Sequence, residues 1–453
     1  MADPSPALHT DFYEITMAAV YHARGMEGTA TFSLFAHELP PTRGFLVVAG
    51  LEEALDYLES FSFTPEDIAY LRSLERFSDE FLEYLASLRF SGEVWAVPEG
   101  SVLFAEEPIL EVTAPIIEAQ LVETFLINTV NLHSTLASKA ARCVLAAGDK
   151  PCVDFSLRRC QGRHAGLAAA RAAALVGFMG TSNLAAAKRY RFTPVGTMAH
   201  SFVEAFGDET EAFRAFAEMF PDHTVTLVDT YDSLGGLART VEVARELMAR
   251  GHQLVGIRLD SGELVEMSRK ARQVLDQAGL SQALVVVSGS LDEYRIAELV
   301  EAGAAVDLFA VGTKVGSSAD APYLDLAYKL VSYQDRATLK LSHGKQTWVM
   351  PKQVWRRLGD DGRIAEDVLG LRGETEIAGR PLLQPVMRRG RRLGPRGDWR
   401  QARDRFQQEL ATLPEPCLRL RQPQPLAVEV SPALRQLQDQ TKREALARQA
   451  AVA

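Results

Sequence analysis

The stretch "LVGIRLDSGELVEMSRKARQVL" (residues 254–275) decides the architecture. A short run of apolar residues, interrupted only by Gly256 and Arg258, stops at Asp260, Ser261 and Gly262. A segment with helical spacing of Leu264, Met267, Ala271 and Leu275 follows. This is a buried strand, a polar turn and an amphipathic helix, the unit of a parallel sheet covered by helices. The same grammar recurs in "PCVDFS" (151–156), "PVGTMAHS" (194–201), "TVTLVDTYDS" (224–233), "LVVVSGS" (284–290) and "DLFAVGT" (307–313). Strand starts fall about 25–40 residues apart, the length of a βα unit. Each run is predicted to end on a polar residue: Asp154, His200, Asp229, Asp260, Ser288 and Thr313. Ligands of parallel α/β proteins bind at the carboxyl ends of strands. The six endings are therefore expected to converge on one mouth, with His200 at the end of its strand.

The flanks follow different patterns. Before residue 130, "DFYEITMAAVYHARGM" has helical spacing, "TATFSLFAHEL" alternates like a strand, and "GEVWAVPEGSVLFAEEPILEVTAP" is a series of short strands with Pro and Gly turns. This is an α+β pattern. Beyond residue 335, "TLKLSHGKQTWVMPKQVWRRLGDDGRIAEDVLGL" is expected to form a β-meander. Ser431 and Pro432 mark the start of a last helix. The expected organisation is an N-terminal α+β domain (1–130), an α/β catalytic barrel (131–335), and C-terminal strands and helices (336–453) packing on both. The fold class is α/β, an irregular parallel α/β barrel completed at its flanks.

Composition narrows the function classes. The 453 residues carry a net charge of −10, which disfavours bulk attraction to nucleic acid and demands a local basic pocket for any anion. The four cysteines form no CxxC pair, so neither a disulfide scaffold nor a zinc site is expected, and a reducing, cytoplasmic setting fits. "MADPSPALHTDFYE" lacks the basic head and apolar core of a signal peptide. No apolar run reaches the roughly 18 residues of a membrane span.

Several residues could carry chemistry. Arg158 and Arg159 in "DFSLRRCQG" could clamp a carboxylate or phosphate, or pair with Asp154 at the surface. Asp260 could hold sugar hydroxyls or a metal, while Ser261 and Gly262 could offer backbone N–H groups to phosphate; the plainer alternative is helix capping. Capping gives no reason for Arg258 in the strand. "VVSGSLDE" and "AVGTKVGSS" are successive small-residue turns after late strands, suited to phosphate. "GFMGTSN" is expected at a helix end, with Gly180 as cap. Asp229 is a strand-end cap or a metal contact. Arg388, Arg389, Arg391 and Arg392 are expected to form a solvated surface. His200 is open to three readings: a core histidine, a general base, or a nucleophile accepting a phosphoryl group, oriented by Glu204, Asp229 or Asp260.

"LHTDFYEITM", "DFSLRRCQG", "GFMGTSN", "GTMAHSFV", "IRLDSGEL" and "FAVGTKVGSS" occur in that order, and together they resemble the nicotinate phosphoribosyltransferase family. The resemblance runs through "KQVWR", nearly the whole chain, and implies the type II phosphoribosyltransferase barrel. It implies that nicotinate is joined to 5-phosphoribosyl 1-diphosphate, giving nicotinate mononucleotide and diphosphate in NAD salvage. It implies ATP hydrolysis coupled through a phosphohistidine at His200, with Asp260 also catalytic. Tyr13, from the partner subunit of a dimer, and Phe155 would sandwich the nicotinate ring. Arg258, Thr197 and Arg158 would hold its carboxylate end. Ser182 stands where the related nicotinamide enzyme has an aspartate, whose charge would repel a carboxylate. Ser261, Gly262, Gly289, Ser290, Gly312 and Thr313 would bind the phosphoribosyl diphosphate, with Lys139 and Arg142 as further anion contacts. Mg²⁺ is expected on the diphosphate, with Asp229 a candidate ligand. The rivals are nicotinamide phosphoribosyltransferase, quinolinate phosphoribosyltransferase and a non-catalytic phosphoribosyl-binding sensor. "GRHAG" (162–166) fits the family loop poorly, and Cys417 stands apart from the cysteine-rich zinc element of some relatives.

Overall fold

The computed structural model describes residues 5–341 and 347–450. Within it the chain forms two compact units, one from Lys139 to Pro322, the other from the segments up to Ser138 and from Tyr323 onward. Residues 342–346 of the expected meander lie outside the described residues.

The Lys139–Pro322 unit is built on five short parallel strands: β1 (Cys152–Asp154), β2 (Val225–Leu227), β3 (Gly256–Leu259), β4 (Leu284–Val287) and β5 (Leu308–Val311). Their order is β1-β5-β4-β3-β2. Beyond β1, parallel bridges join Asp154 to Thr181 and Thr181 to Pro194. Paired neighbours therefore run 152, 181, 194 on one side of β1 and 152, 308, 284, 256, 225 on the other. The sheet curls on itself. Val153 of β1 and Val225 of β2 stand at opposite edges of the ladder, yet they share one buried cluster with Val286 and Ala310, and Val195 packs against it. Only a curved wall brings those edges together. Helices Ser233–Ala249, Leu264–Gln277 and Glu293–Glu301 follow β2, β3 and β4, alternating strand and helix. The result is an irregular parallel α/β barrel.

The segment "PVGTMAHS" corrects the expectation of a strand ending at His200. Of this segment only Pro194 and Val195 join the wall, the Val195 N–H donating to the Thr181 carbonyl (3.0 Å), and His200 is the first residue of a short helix, His200–Phe206. Gly196 favours departure, and pairing stops after one bridge. "GFMGTSN" is corrected as well. Thr181 lies in the barrel wall, and Asn183 caps the next helix by accepting from the Ala186 N–H (3.1 Å).

The other unit holds a seven-stranded sheet. Its central strands, Thr29–Ala36, Pro108–Pro115, Glu93–Ala96 and Leu326–Tyr333, are antiparallel neighbours. A second sheet contains the hairpin Lys352–Leu358 and Ile364–Leu371. The apolar faces of both sheets and of helices such as Leu51–Ser60 meet in one large core. Leu434 of the last helix joins that core, its N–H held by Ser431 Oγ (3.1 Å). Part of the arginine cluster is also corrected. Arg388 is exposed, but the Arg392 side chain is only 10% exposed and is gripped by Glu52, Asp56 and Glu59.

Candidate active site

The end of β3 organises the site. Arg258 points its guanidinium in three directions: Nε donates to Ser288 Oγ (2.8 Å), Nη2 to Asp260 Oδ1 (2.7 Å), and Nη1 to Thr197 Oγ1 (3.3 Å). Its fork also lies over the Phe155 ring, 5.4 Å from the centroid. One arginine thus draws together the ends of β1, β3 and β4 and the loop after Pro194. Burial alone would raise the Asp260 carboxyl. The Ser288 hydroxyl, the Arg258 charge and nearby His200 outweigh it and hold Asp260 below the usual carboxylate range. Asp260 therefore stays ionised through the neutral range.

The turn after β3 is not a cap. The following helix starts at Leu264, with Glu263 at its N-cap and no side-chain cap bond. Asp229 supports the turn instead, its Oδ2 accepting from the Asp260 N–H (2.9 Å) and from Ser261 Oγ (2.7 Å). The other oxygen, Oδ1, is buried with no hydrogen-bond partner. Next to it, Thr230 Oγ1 lies 3.1 Å from His200 Nδ1.

A cleft of about 560 Å³ opens beside these residues, lined by Asp260, Ser261, Gly262, Gly289, Ser290 and, on its far side, Lys314. Gly289 has φ +83°, and a Cβ there would sit 1.8 Å from the Asp260 carbonyl oxygen. The β3 and β4 turns can approach this closely only because residue 289 is glycine. Ser290 also takes a left-handed φ of 51°. Lys314 enters from the turn after β5, where Gly312 and Thr313 open a short helix, and it pairs with Asp292 (2.5 Å). The cleft is thus lined by backbone turns and by two cations, Lys314 and Arg295, beside the carboxylates of Asp260, Asp292 and Glu298; the turns and the cations suit a phosphate.

Several expected residues lie elsewhere. Lys139 and Arg142, expected as anion contacts, are instead held inside the barrel unit by Glu293, at 2.5 and 2.8 Å, and Lys139 also pairs with Asp320 (2.7 Å). Their charges brace β4's helix rather than stand open. Asp154 does not face the mouth: it is buried, accepting from the Ser156 N–H (2.9 Å) and from Thr181 Oγ1 (2.6 Å). Consequently the surface pair between Asp154 and Arg158 does not form. Arg158 and Arg159 are exposed and make no ion pair among the described residues. Ser182 is half-buried, its N–H bonded to the Asp154 carbonyl (2.8 Å). Tyr13 belongs to the other unit, 47% exposed on the helix Phe12–Ala23, where the partial burial of its ring and the Glu123, Glu14 and Asp11 carboxylates raise its phenol. Sequence reasoning placed Ser288 at the mouth as a strand ending without giving it a role, and passed over Thr230, Asp292 and Lys314. "GTKVGSS" carried a signal for Lys314, a cation inside a phosphate-type turn; nothing local marked Thr230 or Asp292.

Comparison with known proteins agrees with this geometry. Sequence models of the nicotinate phosphoribosyltransferase (NAPRTase) family match as the N-terminal domain over residues 8–131, the family core over 151–340 and the C-terminal domain over 377–438. Nicotinate phosphoribosyltransferase pncB2 of Mycobacterium tuberculosis is 49% identical over 411 residues, covering 90% of this chain and 88% of that protein. The Bacillus subtilis nicotinate phosphoribosyltransferase is 42% identical, covering 80% and 76%. The crystal structure of human nicotinic acid phosphoribosyltransferase superposes with a TM-score of 0.86 at 29% identity, over 95% of this chain and 99% of that one. The nicotinate-nucleotide pyrophosphorylase of Pyrococcus furiosus shares the fold, with a TM-score of 0.75 at 23% identity. A parallel barrel whose strand-end turns gather an arginine, a carboxylate and glycine turns, within a chain matched along nearly its full length, belongs to the nicotinate phosphoribosyltransferase family.

Proposed function

We propose that the protein transfers the phosphoribosyl group of 5-phosphoribosyl 1-diphosphate to nicotinate, releasing diphosphate and forming nicotinate mononucleotide for NAD salvage. The observation that carries this reading is the Arg258–Asp260–Ser288 knot standing beside a cleft of small-residue turns. An arginine that already touches a threonine hydroxyl and an aromatic face suits a carboxylated ring. An ionised carboxylate one step away suits a ribose that gains cationic character.

In this mechanism Arg258 and Thr197 orient the nicotinate carboxylate, with Arg158 near it, and Phe155 supports the ring; such stacking contributes about 0.5–1.5 kcal/mol beyond burial. Tyr13 of the partner subunit of a homodimer covers the other face. Ser182 leaves the carboxylate unopposed, which selects nicotinate over nicotinamide. The ring nitrogen attacks ribose C1 as the C1–O bond to diphosphate breaks. Asp260 stabilises the developing positive charge and receives the ribose hydroxyls. The turns of Ser261, Gly262, Gly289, Ser290, Gly312 and Thr313, with Lys314, hold phosphate oxygens and keep the reacting atoms aligned. Asp229 would suit Mg²⁺, because its Oδ1 is buried without a hydrogen-bond partner. An ion on the diphosphate would take most of its ligands from substrate oxygens. When bound, the ion would supply charge neutralisation to the diphosphate.

His200 serves as the phosphoryl acceptor. A bond forms from an imidazole nitrogen to the γ-phosphorus of ATP as the bond to ADP breaks, and later hydrolysis of the phosphohistidine releases phosphate. ATP is a co-substrate, and the reaction runs in the cytoplasm.

The test is turnover of labelled nicotinate with phosphoribosyl diphosphate and Mg²⁺, with and without ATP. Nicotinate mononucleotide should form, ATP should accelerate it, and His200→Ala should lose the acceleration while residual transfer persists. An ATP response in His200→Ala equal to the parent's removes the role of His200. Faster turnover of nicotinamide removes the substrate assignment.

A further inference from the structure

Ser288 ends β4, and its side chain is buried. Its N–H is fixed by the Leu259 carbonyl at 2.9 Å, so the ladder itself positions the residue. The hydroxyl has one proton to donate and two lone pairs. It accepts from Arg258 Nε (2.8 Å) and lies 2.5 Å from Asp260 Oδ1, with the Leu259 carbonyl a longer 3.4 Å away. The short approach to a carboxylate assigns the proton to Asp260. Arg258 Nη2 reaches the same Oδ1 at 2.7 Å. One carboxylate oxygen thus takes two donors, and Asp260 Oδ2 has no hydrogen-bond partner among the described residues. On the arginine side, Ser288 takes the Nε edge. Nη1 keeps only two long contacts, 3.3 Å to Thr197 and 3.5 Å to the Met198 carbonyl.

This arrangement is more than satisfaction of a buried hydroxyl. Arg258 lies in β3 and Asp260 is the first residue past its end, and their side chains meet directly, Nη2 to Oδ1 at 2.7 Å. Left to themselves they could pair through either carboxylate oxygen and either edge of the guanidinium. A third group anchored on the neighbouring strand removes that freedom. It engages Nε of Arg258 and Oδ1 of Asp260 at once, leaving Nη1 with only long contacts and Oδ2 without a partner among the described residues.

We propose that Ser288 is a positioning residue that locks Arg258 and Asp260 in one mutual orientation, fixing the spacing between the carboxylate-binding and ribose-binding halves of the site. The inference rests on the reading of Arg258 as the nicotinate ligand and Asp260 as the ribose ligand. Substrate affinity for the two halves is then coupled through one hydroxyl.

Ser288→Ala should raise KM for nicotinate and for phosphoribosyl diphosphate together, each by about tenfold, the loss expected for a hydrogen bond to a charged group. The loss should read in the two KM values, with kcat changed by no more than about twofold, because the hydroxyl orients the two ligands and does not itself meet the reacting atoms. A merely structural serine would not raise both KM values together while sparing kcat. Ser288→Thr, which keeps the hydroxyl, should restore both KM values toward the parent. If the alanine chain melts early, Ser288→Cys carries the same test with its weak thiol donor. Parental KM values in Ser288→Ala, with normal turnover by the parent, overturn the inference alone. A rise in one KM only also overturns it, since the halves are then not coupled. Absence of turnover in the parent overturns the underlying reading and the inference with it.

Discussion

Replacing Gly289 by alanine tests whether the mouth of the barrel depends on the close approach of two turns. Two costs add. The residue has φ +83°, where an L side chain loses about 1–2 kcal/mol. The new Cβ would also stand 1.8 Å from the Asp260 carbonyl oxygen, with the Asp260 carbonyl carbon at 2.9 Å. These are backbone atoms, so no side chain can swing aside. The β3 turn must retreat by roughly 1 Å, and a displacement of that size in a reacting group costs on the order of 10²-fold in rate. The expected result is a fall of about 10²-fold in kcat/KM, with a stability loss of about 2–4 kcal/mol from strain and overpacking. Gly279→Ala is the control: φ is +77°, but nothing lies within 4 Å of its Cβ, so it isolates the dihedral strain. Steady-state kinetics and denaturant melts of both variants give the comparison. A Gly289→Ala enzyme within twofold of the parent, or one no more impaired than Gly279→Ala, refutes the reasoning, because the turn would then have no need of glycine.

Two further outcomes concern the other unit. Glu14 is buried, and that burial, aided by Glu123 and Asp11 against the Thr10 and Thr124 hydroxyls, pushes its carboxyl up to about 7. A folded-state value above the unfolded one means that folding binds a proton, so the parent loses stability as pH rises from about 4.5 to 7, by at most about 3 kcal/mol. Glu14→Gln, neutral throughout, should melt higher than the parent at pH 8 and lose that advantage at pH 5; parallel melting curves from pH 5 to 8 would contradict it. Arg392→Ala removes the common partner of Glu52 (2.7 Å), Asp56 (2.7 Å) and Glu59 (3.0 Å), leaving Asp56 its second pair with Arg396 (2.9 Å) and Glu52 and Glu59 without that cation. A loss of about 2–4 kcal/mol in urea melts is expected; a midpoint unchanged from the parent would mean that the cluster is solvated after all.

The barrel was legible because its rule is local. Four-residue apolar runs such as Leu284–Val287 and Leu308–Val311 announce strands buried on both faces, and the polar residue after each announces an exit. The last helix was legible for the same reason, since Ser431 and Pro432 act within one turn. The failures share a different physics. "PVGTMAHS" looked like a strand as far as His200 because it opens on apolar residues, yet a single bridge forms at Pro194 before the chain leaves at Gly196. Lys139 and Arg142 looked available because their partner, Glu293, lies more than 150 positions away. Arg392 looked solvated because Glu52 is 340 positions distant. A charge in a sequence declares its sign but not its neighbour.

The carboxylates at the strand ends show what would have been needed. Asp154 and Asp229 are equivalent by sequence: each follows an apolar run and precedes an aromatic or hydroxyl residue. They differ in how many of their oxygens the protein itself uses. At Asp154 both oxygens take donors, Ser156 N–H on one and Thr181 Oγ1 on the other, and the group is a brace for the wall. At Asp229 both donors fall on Oδ2, and Oδ1 is buried without one. Asp260 resembles Asp229 in this respect, with Oδ1 doubly engaged by Arg258 and Ser288 and Oδ2 without a donor among the described residues. The strand-end carboxylates share residue type and sequence context; what separates them is how many donors the fold brings to each oxygen, and those donors stand on neighbouring segments that only the folded wall brings together.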